Sequence, residues 1–399
     1  MDDQAQPPQE ALPTAPAPSP GEAAPPAVAR VPREVPVRFT GTGGEYFRIW
    51  AVNLLLTIAT LGIYSAWAKV RKTRWFWGNT QVDGASFQFH GSPMAILRGR
   101  ILVGVAFGLY TLLGRISVGA AVVGSVVLAA AAPWLLQKAL RFRLSNSTWR
   151  GLRFGFASTT AEAYGALAPA VVLWLMFTVV MTQVTPGAPP SPFAILGIYA
   201  LALALAPLLH HRFKRWQHGA TTCGGLRFAL QPSIGPFYKL YGLTFLVGVL
   251  PFGMLMGAMI AIFAAVRPPA ADASVATLGP ALVGIYLGMA LVYLVPGAYF
   301  SARLQRLVWS RTQGGPVRFS TRVTMWGMVK VWLVNGLLTL LTLGLYWPYA
   351  AVAIARYKLE CMSLATSAPL EEIAAGAGTV EASATGEGAV DVFGWDFGL

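Results

Sequence analysis

Charge is scarce in this chain. Only 12% of its 399 residues are charged, whereas 55% are hydrophobic. A soluble domain carries about twice that charged fraction. Several apolar runs reach about 20 residues, the length that crosses a bilayer as a helix. These runs do not alternate with polar residues, which excludes transmembrane strands. The composition therefore predicts a polytopic α-helical membrane protein.

The features that usually mark an enzyme or a metal protein are also missing. Cys223 and Cys361 match neither a disulfide framework nor a metal-ligand spacing. The adjacent His210 and His211 point to different helix faces and make a poor metal pair. The sequence has no phosphate-binding loop, zinc-protease helix or nucleophile elbow. No Asp or Glu lies in the middle of a core span, which counts against proton-driven transport. We expect no cofactor, no metal and no enzymatic activity.

The net charge of +14 indicates membrane topology rather than nucleic-acid binding, because the basic residues flank the apolar runs. We therefore expect anionic lipid headgroups as partners and no nucleic acid, and the oligomeric state stays open. Residues 1–36 are rich in Pro and Ala and are predicted to be disordered, with no signal-peptide core. Residues 366–399 hold six acidic residues and no Lys or Arg, and form a second predicted tail around a membrane domain of residues 37–365.

One spacing pattern occurs four times, each time where an apolar run ends. It is a basic residue, two others, Arg, five others, Thr or Ser, three others, Gly or Pro, two others, Phe. Identical spacing inside the copies and variable spacing between them indicate a repeated structural unit. The copies are Arg71, Arg74, Thr80, Gly84 and Phe87; Lys138, Arg141, Ser147, Gly151 and Phe154; Arg212, Arg215, Thr221, Gly225 and Phe228; and Arg303, Arg306, Thr312, Pro316 and Phe319.

The apolar runs between these copies predict six core transmembrane helices in three hairpins. An even number of passes returns the chain to the same side, so all four copies share one face. The stretch from Thr or Ser to Phe reads as a short cytoplasmic β-hairpin, and four such ribbons together are expected to make a small sheet or collar. The predicted spans are 97–114 with 117–138, 163–183 with 193–210, and 238–265 with 280–302.

Two further apolar segments flank this core and resemble each other. Asn53, with Thr57, Thr60, Gly62 and Tyr64, recurs 282 residues later as Asn335, Thr339, Thr342, Gly344 and Tyr346. Each segment is either a re-entrant hairpin that turns at Thr-Leu-Gly or a single span, which would give eight spans. The hairpin places every Lys and Arg except Arg115 and Arg267 on one face, and the positive-inside rule favours it. The fold expected is thus all-α, with six core helices, two terminal segments and short β-hairpins.

The basic pairs sit at helix C-termini, where the helix dipole and lipid phosphates favour cations. These basic pairs either form a site for anionic headgroups or simply anchor the helices at the membrane interface. Asn53 and Asn335 either line a shared cavity with Tyr64 and Tyr346 or join neighbouring helices. The candidate headgroup-binding residues are Arg71, Arg74, Lys138, Arg141, Arg212, Arg215, Arg303 and Arg306.

The segment FTGTGGEYFRIWAVNLLLTIATLGIYSAWAKVRKTRWFWGNT and the recurring Arg and Gly-x-Arg-Phe blocks resemble the YjgN-type family. Those bacterial inner-membrane proteins contain a domain of unknown function, and the resemblance covers about residues 37–360. It implies a multi-pass inner-membrane protein without an assigned activity. Ala351 and Ala353 stand where the first half has Lys69 and Arg71, so the two halves are not equivalent.

Two functions stay open at this point. One is a passive conduit for a small solute or lipid, because internal repeats are common in transporters. The other is a non-transporting scaffold or anionic-lipid-binding protein. In both cases we expect the inner membrane, with the basic loops and both tails cytoplasmic.

Overall fold

The computed structural model describes residues 33–182, 191–231, 233–265 and 275–367, which form ten helices and eleven strands. The helices are α1 Gly43–Ala59, α2 Ser65–Gly78, α3 Pro93–Ile116, α4 Val118–Ser145, α5 Thr160–Thr182, α6 Pro192–Ala220, α7 Gly235–Ala265, α8 Val275–Trp309, α9 Met325–Leu341 and α10 Trp347–Glu360. The strands are β1 Arg33–Phe39, β2 Thr80–Val82, β3 Ala85–Phe89, β4 Ser147–Trp149, β5 Leu152–Phe156, β6 Thr221–Cys223, β7 Leu226–Arg227, β8 Ala229–Leu230, β9 Thr312–Gly314, β10 Val317–Thr321 and β11 Met362–Thr366.

All eleven strands belong to one antiparallel sheet, in the order β7-β6-β5-β4-β3-β2-β1-β11-β10-β9-β8. The expectation of an all-α fold with only short β-hairpins is therefore wrong, because eleven strands form one extensive sheet. Each predicted hairpin also pairs with its neighbours, for instance β3 with β4 and β5 with β6. These pairings join residues about 60 apart in the chain, and local sequence patterns do not reveal such contacts.

The sheet closes on itself into a near-complete barrel. Its two end strands, β7 and β8, are one segment interrupted only at Phe228, whose N–H still bonds to the carbonyl of Thr221 at 3.0 Å. The first and last strands also pair with each other, Arg33 opposite Thr366. The ends of the described chain, Arg33 and Ser367, thus stand where the other four hairpins have a tight turn, and β11 with β1 supplies a fifth hairpin.

The barrel interior is filled by apolar side chains from around the ring. Buried members include Val37 on β1, Trp149 on β4, Leu152 on β5, Cys223 on β6 and Met362 on β11. Inward and outward residues alternate, as the pleat of a strand requires. The barrel is therefore a packed core rather than an open tube.

Strand register shows that every helix pair leaves and re-enters the sheet at one place. Phe39 lies opposite Thr80 at the foot of α1 and α2, and Thr321 lies opposite Met362 at the foot of α9 and α10. Both terminal segments consequently turn back, as the hairpin interpretation requires. Strand pairs bracket the three longer helix pairs in the same way, so the four copies of the pattern share one face.

The helices form a ring in which each contacts its neighbours in sequence, and α1 contacts α10 to close it. Among the described residues, five helices are long and apolar enough to cross a membrane: α3, α4, α5, α6 and α7 over Gly235–Gly257. The sixth expected span corresponds to α8. The second helix of each longer pair extends seven to ten residues beyond the predicted end, because the basic residues continue the helix.

Two details of the repeat follow from the strand pairing. Val37-Arg38-Phe39 resembles Leu152-Arg153-Phe154 in sequence, but the pairing of Phe39 with Thr80 puts Phe39 at the position of Phe89 and Phe156, so the triplet is shifted by two residues. The fourth turn is Gly315-Pro316, because Gly314 already pairs with Val317. Gly315 has a φ of +56°, which a type II′ hairpin turn requires at its first central residue.

Candidate functional site: the basic helix ends above the barrel

The Thr or Ser of the pattern completes the helix that precedes it. In all four copies its hydroxyl donates a hydrogen bond of 2.8 Å to the carbonyl four residues earlier. The last carbonyls of a helix have no intrahelical partner. The hydroxyl satisfies one of them at the junction between helix and strand, so this residue type is explained by structure. The four are Thr80, Ser147, Thr221 and Thr312.

The second basic position of the pattern ties the helix end to the loop before the next helix. Arg141 Nη2 donates to the Ser158 carbonyl at 2.9 Å, and Arg74 Nη2 to the equivalent Gly91 carbonyl at 3.3 Å. Arg356, in the fifth unit, donates to the equivalent Gly41 carbonyl at 2.7 Å. Arg74, Arg141 and Arg356 therefore have a structural task. Arg215 and Arg306 occupy the same position in the other two copies and are exposed.

The first basic position lies about one turn further up the helix, toward the apolar part. Arg71, Arg212 and Arg303 are exposed there, and Lys138 is half-buried. Arg303 lies over the ring of Tyr299, 5.6 Å from its centroid, and Arg212 donates to the Gly165 carbonyl. A guanidinium has five N–H donors, so one such bond leaves others for a ligand. We call Arg71, Lys138, Arg212 and Arg303 the first-position cations.

Acidic residues are absent from all four helices that carry the first-position cations. The sequences of α2, α3, α4 and α6 through α9 contain no Asp or Glu. Glu45 and Glu162 cap the starts of α1 and α5, and Glu360 lies at the end of α10. Seven of the ten helices thus contribute positive charge only.

An aromatic layer lies where the helix ends meet the strands of the barrel. Trp77 packs edge-on against Phe87 at 5.5 Å, and Phe87 stacks on Phe154 at 6.0 Å. On the far side Trp309 packs against Phe319 at 5.1 Å. These rings come from the pattern's own Phe and from the helix end beside it. They extend the apolar barrel core up to the helix ends.

The terminal hairpins satisfy their own turns. The hydroxyl of Thr60 donates to the Leu56 carbonyl at 2.7 Å and accepts from the Tyr64 N–H at 2.9 Å. Leu61 and Gly62 adopt positive φ values of 49° and 93°. The second hairpin repeats these bonds and angles at the positions 282 residues later. The repeated pattern therefore encodes a helical turn.

The structure does not bring Asn53 and Asn335 together. They lie on α1 and α9, and α10 stands between those helices in the ring. Both side chains are buried, and the Asn335 amide donates to Val331 of its own helix at 2.7 Å. Asn53 Oδ1 is buried without a hydrogen-bond partner. No described contact joins either residue to a polar path.

Sequence analysis missed a polar centre at Ser158. Its carbonyl accepts from Gln137 at 2.6 Å as well as from Arg141, and its hydroxyl accepts from Trp216 at 2.7 Å. These bonds join α4, α6 and the loop before α5. Ser158 is four residues beyond the pattern's Phe, and a longer alignment of the copies would have placed it opposite Gly91.

Neither cysteine has the lowered thiol pKa of a nucleophile. Burial raises the pKa of the Cys223 thiol from its ordinary 9.0 to about 12. Burial likewise raises the pKa of Cys361. Within the described part of the chain, no group of three or more His, Cys, Asp or Glu residues is arranged to hold a metal ion.

The fold and these helix ends define a multi-pass membrane protein whose cations gather beside a closed, apolar-filled sheet. The chain belongs to the family described as bacterial protein of unknown function (DUF898), whose model matches residues 34–392. It is 25% identical over 337 residues to inner membrane protein YjgN of Salmonella typhimurium strain LT2, covering 79% of this chain and 84% of that protein. YjgN of Escherichia coli K12 is 34% identical over 124 residues, 30% of each chain. No solved structure matches significantly.

Proposed function

We propose that this protein binds anionic phospholipid headgroups with its first-position cations and does not conduct a solute through its barrel. The observation that carries the proposal is the placement of these cations. They occur at one level of several helices whose sequences hold no acidic residue. Basic residues near an anionic membrane surface contribute on the order of 1 kcal/mol each.

The helix geometry supports headgroup binding. The first-position cations lie six to eight residues before the ends of their helices. Arg71, Arg212 and Arg303 are exposed at this level, so their guanidinium groups are accessible to a ligand. They stand beside apolar helix faces, including Leu102, Val105 and Leu109 on α3, which are all about half exposed or more. A lipid can then place its phosphate at the cations and its acyl chains along the helices.

The packing counts against a conduit through the barrel. Apolar side chains occupy the interior, and the aromatic layer continues that core to the helix ends. The two asparagines that were candidates for a shared cavity are separated by α10. A binding or scaffolding role needs neither a cavity nor a catalytic group, so we also infer that the protein is not an enzyme.

We place the barrel and the basic helix ends on the cytoplasmic side of the inner membrane, following the positive-inside rule. The choice of the inner membrane is supported by the relatives, which are named inner membrane proteins. The orientation is inferred from the distribution of basic residues. A reporter fused after Leu399 is expected to report cytoplasm, and a periplasmic signal would contradict this orientation.

The test is thermal unfolding in neutral detergent with added phosphatidylglycerol or phosphatidylcholine. A ligand that binds only the folded state raises its stability, so phosphatidylglycerol should raise the midpoint more than phosphatidylcholine. The variant with Arg71→Gln, Lys138→Gln, Arg212→Gln and Arg303→Gln should lose most of this difference.

A matched control removes four cations elsewhere, through Arg38→Gln, Arg153→Gln, Arg227→Gln and Arg318→Gln on the outer barrel surface. This control should keep the phosphatidylglycerol effect. An equal loss in both variants would mean that bulk charge is responsible, and an unchanged effect in the first variant would refute the site.

A further inference from the structure

Four arginines lie on the outer surface of the barrel: Arg38, Arg153, Arg227 and Arg318, here called the wall arginines. All four are exposed, and their neighbours along the strand face the other way. Arg153, for example, lies between Leu152 and Phe154, which belong to the interior cluster. The alternation of a strand thus puts a positive side chain outside on β1, β5, β7 and β10.

The few acidic residues near the barrel have other partners. Asp83 pairs with Arg33 and Arg150, both at 2.9 Å, and Glu34 lies 3.4 Å from Arg322. Within the described part of the chain, none of the wall arginines forms an ion pair. The outer surface of the barrel is therefore an exposed positive patch.

Charge is divided unevenly along the chain. The described residues contain 28 basic and five acidic residues. Residues 368–399 contain six acidic residues and no Lys or Arg, and residues 1–32 contain four acidic residues against Arg30 alone. The net charge of +14 is thus the difference between a strongly basic body and two acidic ends.

The acidic C-terminal segment begins beside the patch. Arg318 lies opposite Ala365 in the sheet, two residues before the described chain ends at Ser367. Thirty-two residues can span at most about 105 Å, because each residue extends the chain by about 3.3 Å. Five strand spacings, half of a ten-strand circuit, amount to about 24 Å. The segment is therefore long enough to reach every wall arginine.

We propose that residues 368–399 bind the wall arginines of their own chain through Glu and Asp side chains. The binding is electrostatic and exposed, so it weakens as salt screens the charges. This proposal is independent of lipid binding by the first-position cations, which lie on the helices.

The test uses protein truncated after Ser367, in neutral detergent, and a fluorescein-labelled peptide of residues 368–399 read by anisotropy. Peptide binding should be lost on adding 0.5 M salt. A peptide with all six side-chain carboxylates converted to amides should bind at least about tenfold more weakly. Each exposed ion pair contributes only a small part of the binding free energy, but this peptide loses all of them.

The quadruple wall variant, Arg38→Gln, Arg153→Gln, Arg227→Gln and Arg318→Gln, should also weaken binding at least about tenfold. The quadruple first-position variant serves as its control and should stay within about twofold of the parent. Full-length protein should bind the added peptide more weakly than truncated protein does, since its own segment occupies the patch.

Equal loss in the two quadruple variants would overturn the proposal, because it would show bulk attraction. Equal binding by full-length and truncated protein would overturn occupancy within the chain. If the wall variant loses binding to phosphatidylglycerol vesicles but keeps binding the peptide, the patch belongs to lipid and the proposal is wrong. Should the quadruple variant misfold, single Arg153→Gln and Arg318→Gln variants decide, each with an expected weakening of about two- to threefold.

Discussion

Arg356 is expected to stabilise the closure of the ring, and its replacement by Met tests this directly. Its Nη2 donates to the Gly41 carbonyl at 2.7 Å and so joins the end of α10 to the loop before α1, 315 residues away in the chain. Gly41 is buried, and a charged hydrogen bond to such a group contributes about 1.5 kcal/mol or more. The pair with Glu360, at 3.9 Å and half exposed, adds little.

Two further Met substitutions provide reference values for the destabilisation expected from Arg356→Met. Arg141→Met should cost less, about 0.5 to 1 kcal/mol, because the Ser158 carbonyl keeps its bond from Gln137. Arg303→Met removes an exposed cation without a carbonyl bond and should stay within about 0.5 kcal/mol. Met retains the apolar stem of Arg, so lost packing contributes little.

The assay is unfolding followed by tryptophan fluorescence in lipid-free neutral detergent, which avoids stabilisation by bound lipid. The expected order of destabilisation is Arg356, then Arg141, then Arg303, and Arg356→Lys should recover part of the loss. If Arg356→Met and Arg303→Met unfold alike, the equivalent arginines do not hold the helix ends, and the structural account of the second basic position fails.

Three smaller changes test the barrel. Thr312→Val removes the hydroxyl bonded to the Val308 carbonyl at 2.8 Å and should cost about 1 kcal/mol in the same unfolding assay; an unchanged midpoint would contradict the cap. Gly314→Ala would bring a methyl group to 2.5 Å from the Phe228 ring, so about 1–3 kcal/mol of destabilisation is expected, and none would mean the interior is loosely packed. Because its raised pKa is about 12, Cys223 should resist maleimide at pH 8 in a Cys361→Ala variant and react after denaturation; fast native labelling would refute its burial. That same raised pKa means that the thiol lowers folding stability as pH rises from about 9 toward 12.

The repeat could be recognised in the sequence because its residues make contacts within a few positions of each other. The Thr or Ser bonds four residues back and the turn residues set a positive φ, so both appear at fixed spacing. The fifth unit is visible in the sequence only as two fragments, Val37-Arg38-Phe39 and Arg356. Met362 stands where the other units have a hydroxyl, and the two strands lie at opposite ends of the described chain. No local pattern shows that β1 and β11 pair and join the four hairpins into one closed sheet.

The candidate site was predicted only in part for a related reason. The two basic positions look alike in sequence, but their geometry separates them. The second position bonds to a loop carbonyl in the units of Arg74, Arg141 and Arg356, whereas the first position stands a turn higher, beside apolar surface. A carbonyl acceptor carries no residue signature, so this division requires a structure.

The closed ring also explains why the two terminal segments can be short. The pairs α1–α2 and α9–α10 are neighbours because α1 contacts α10, so all four short helices stand on one side. Helices of 17 residues span about 26 Å, less than the roughly 30 Å of a hydrocarbon core. Their turns would therefore end inside lipid, where unsatisfied backbone groups are costly. The repeated threonines meet that cost by bonding turn carbonyls and N–H groups, while Leu61 and Leu343, 95% and 94% exposed, offer only apolar surface at the tips.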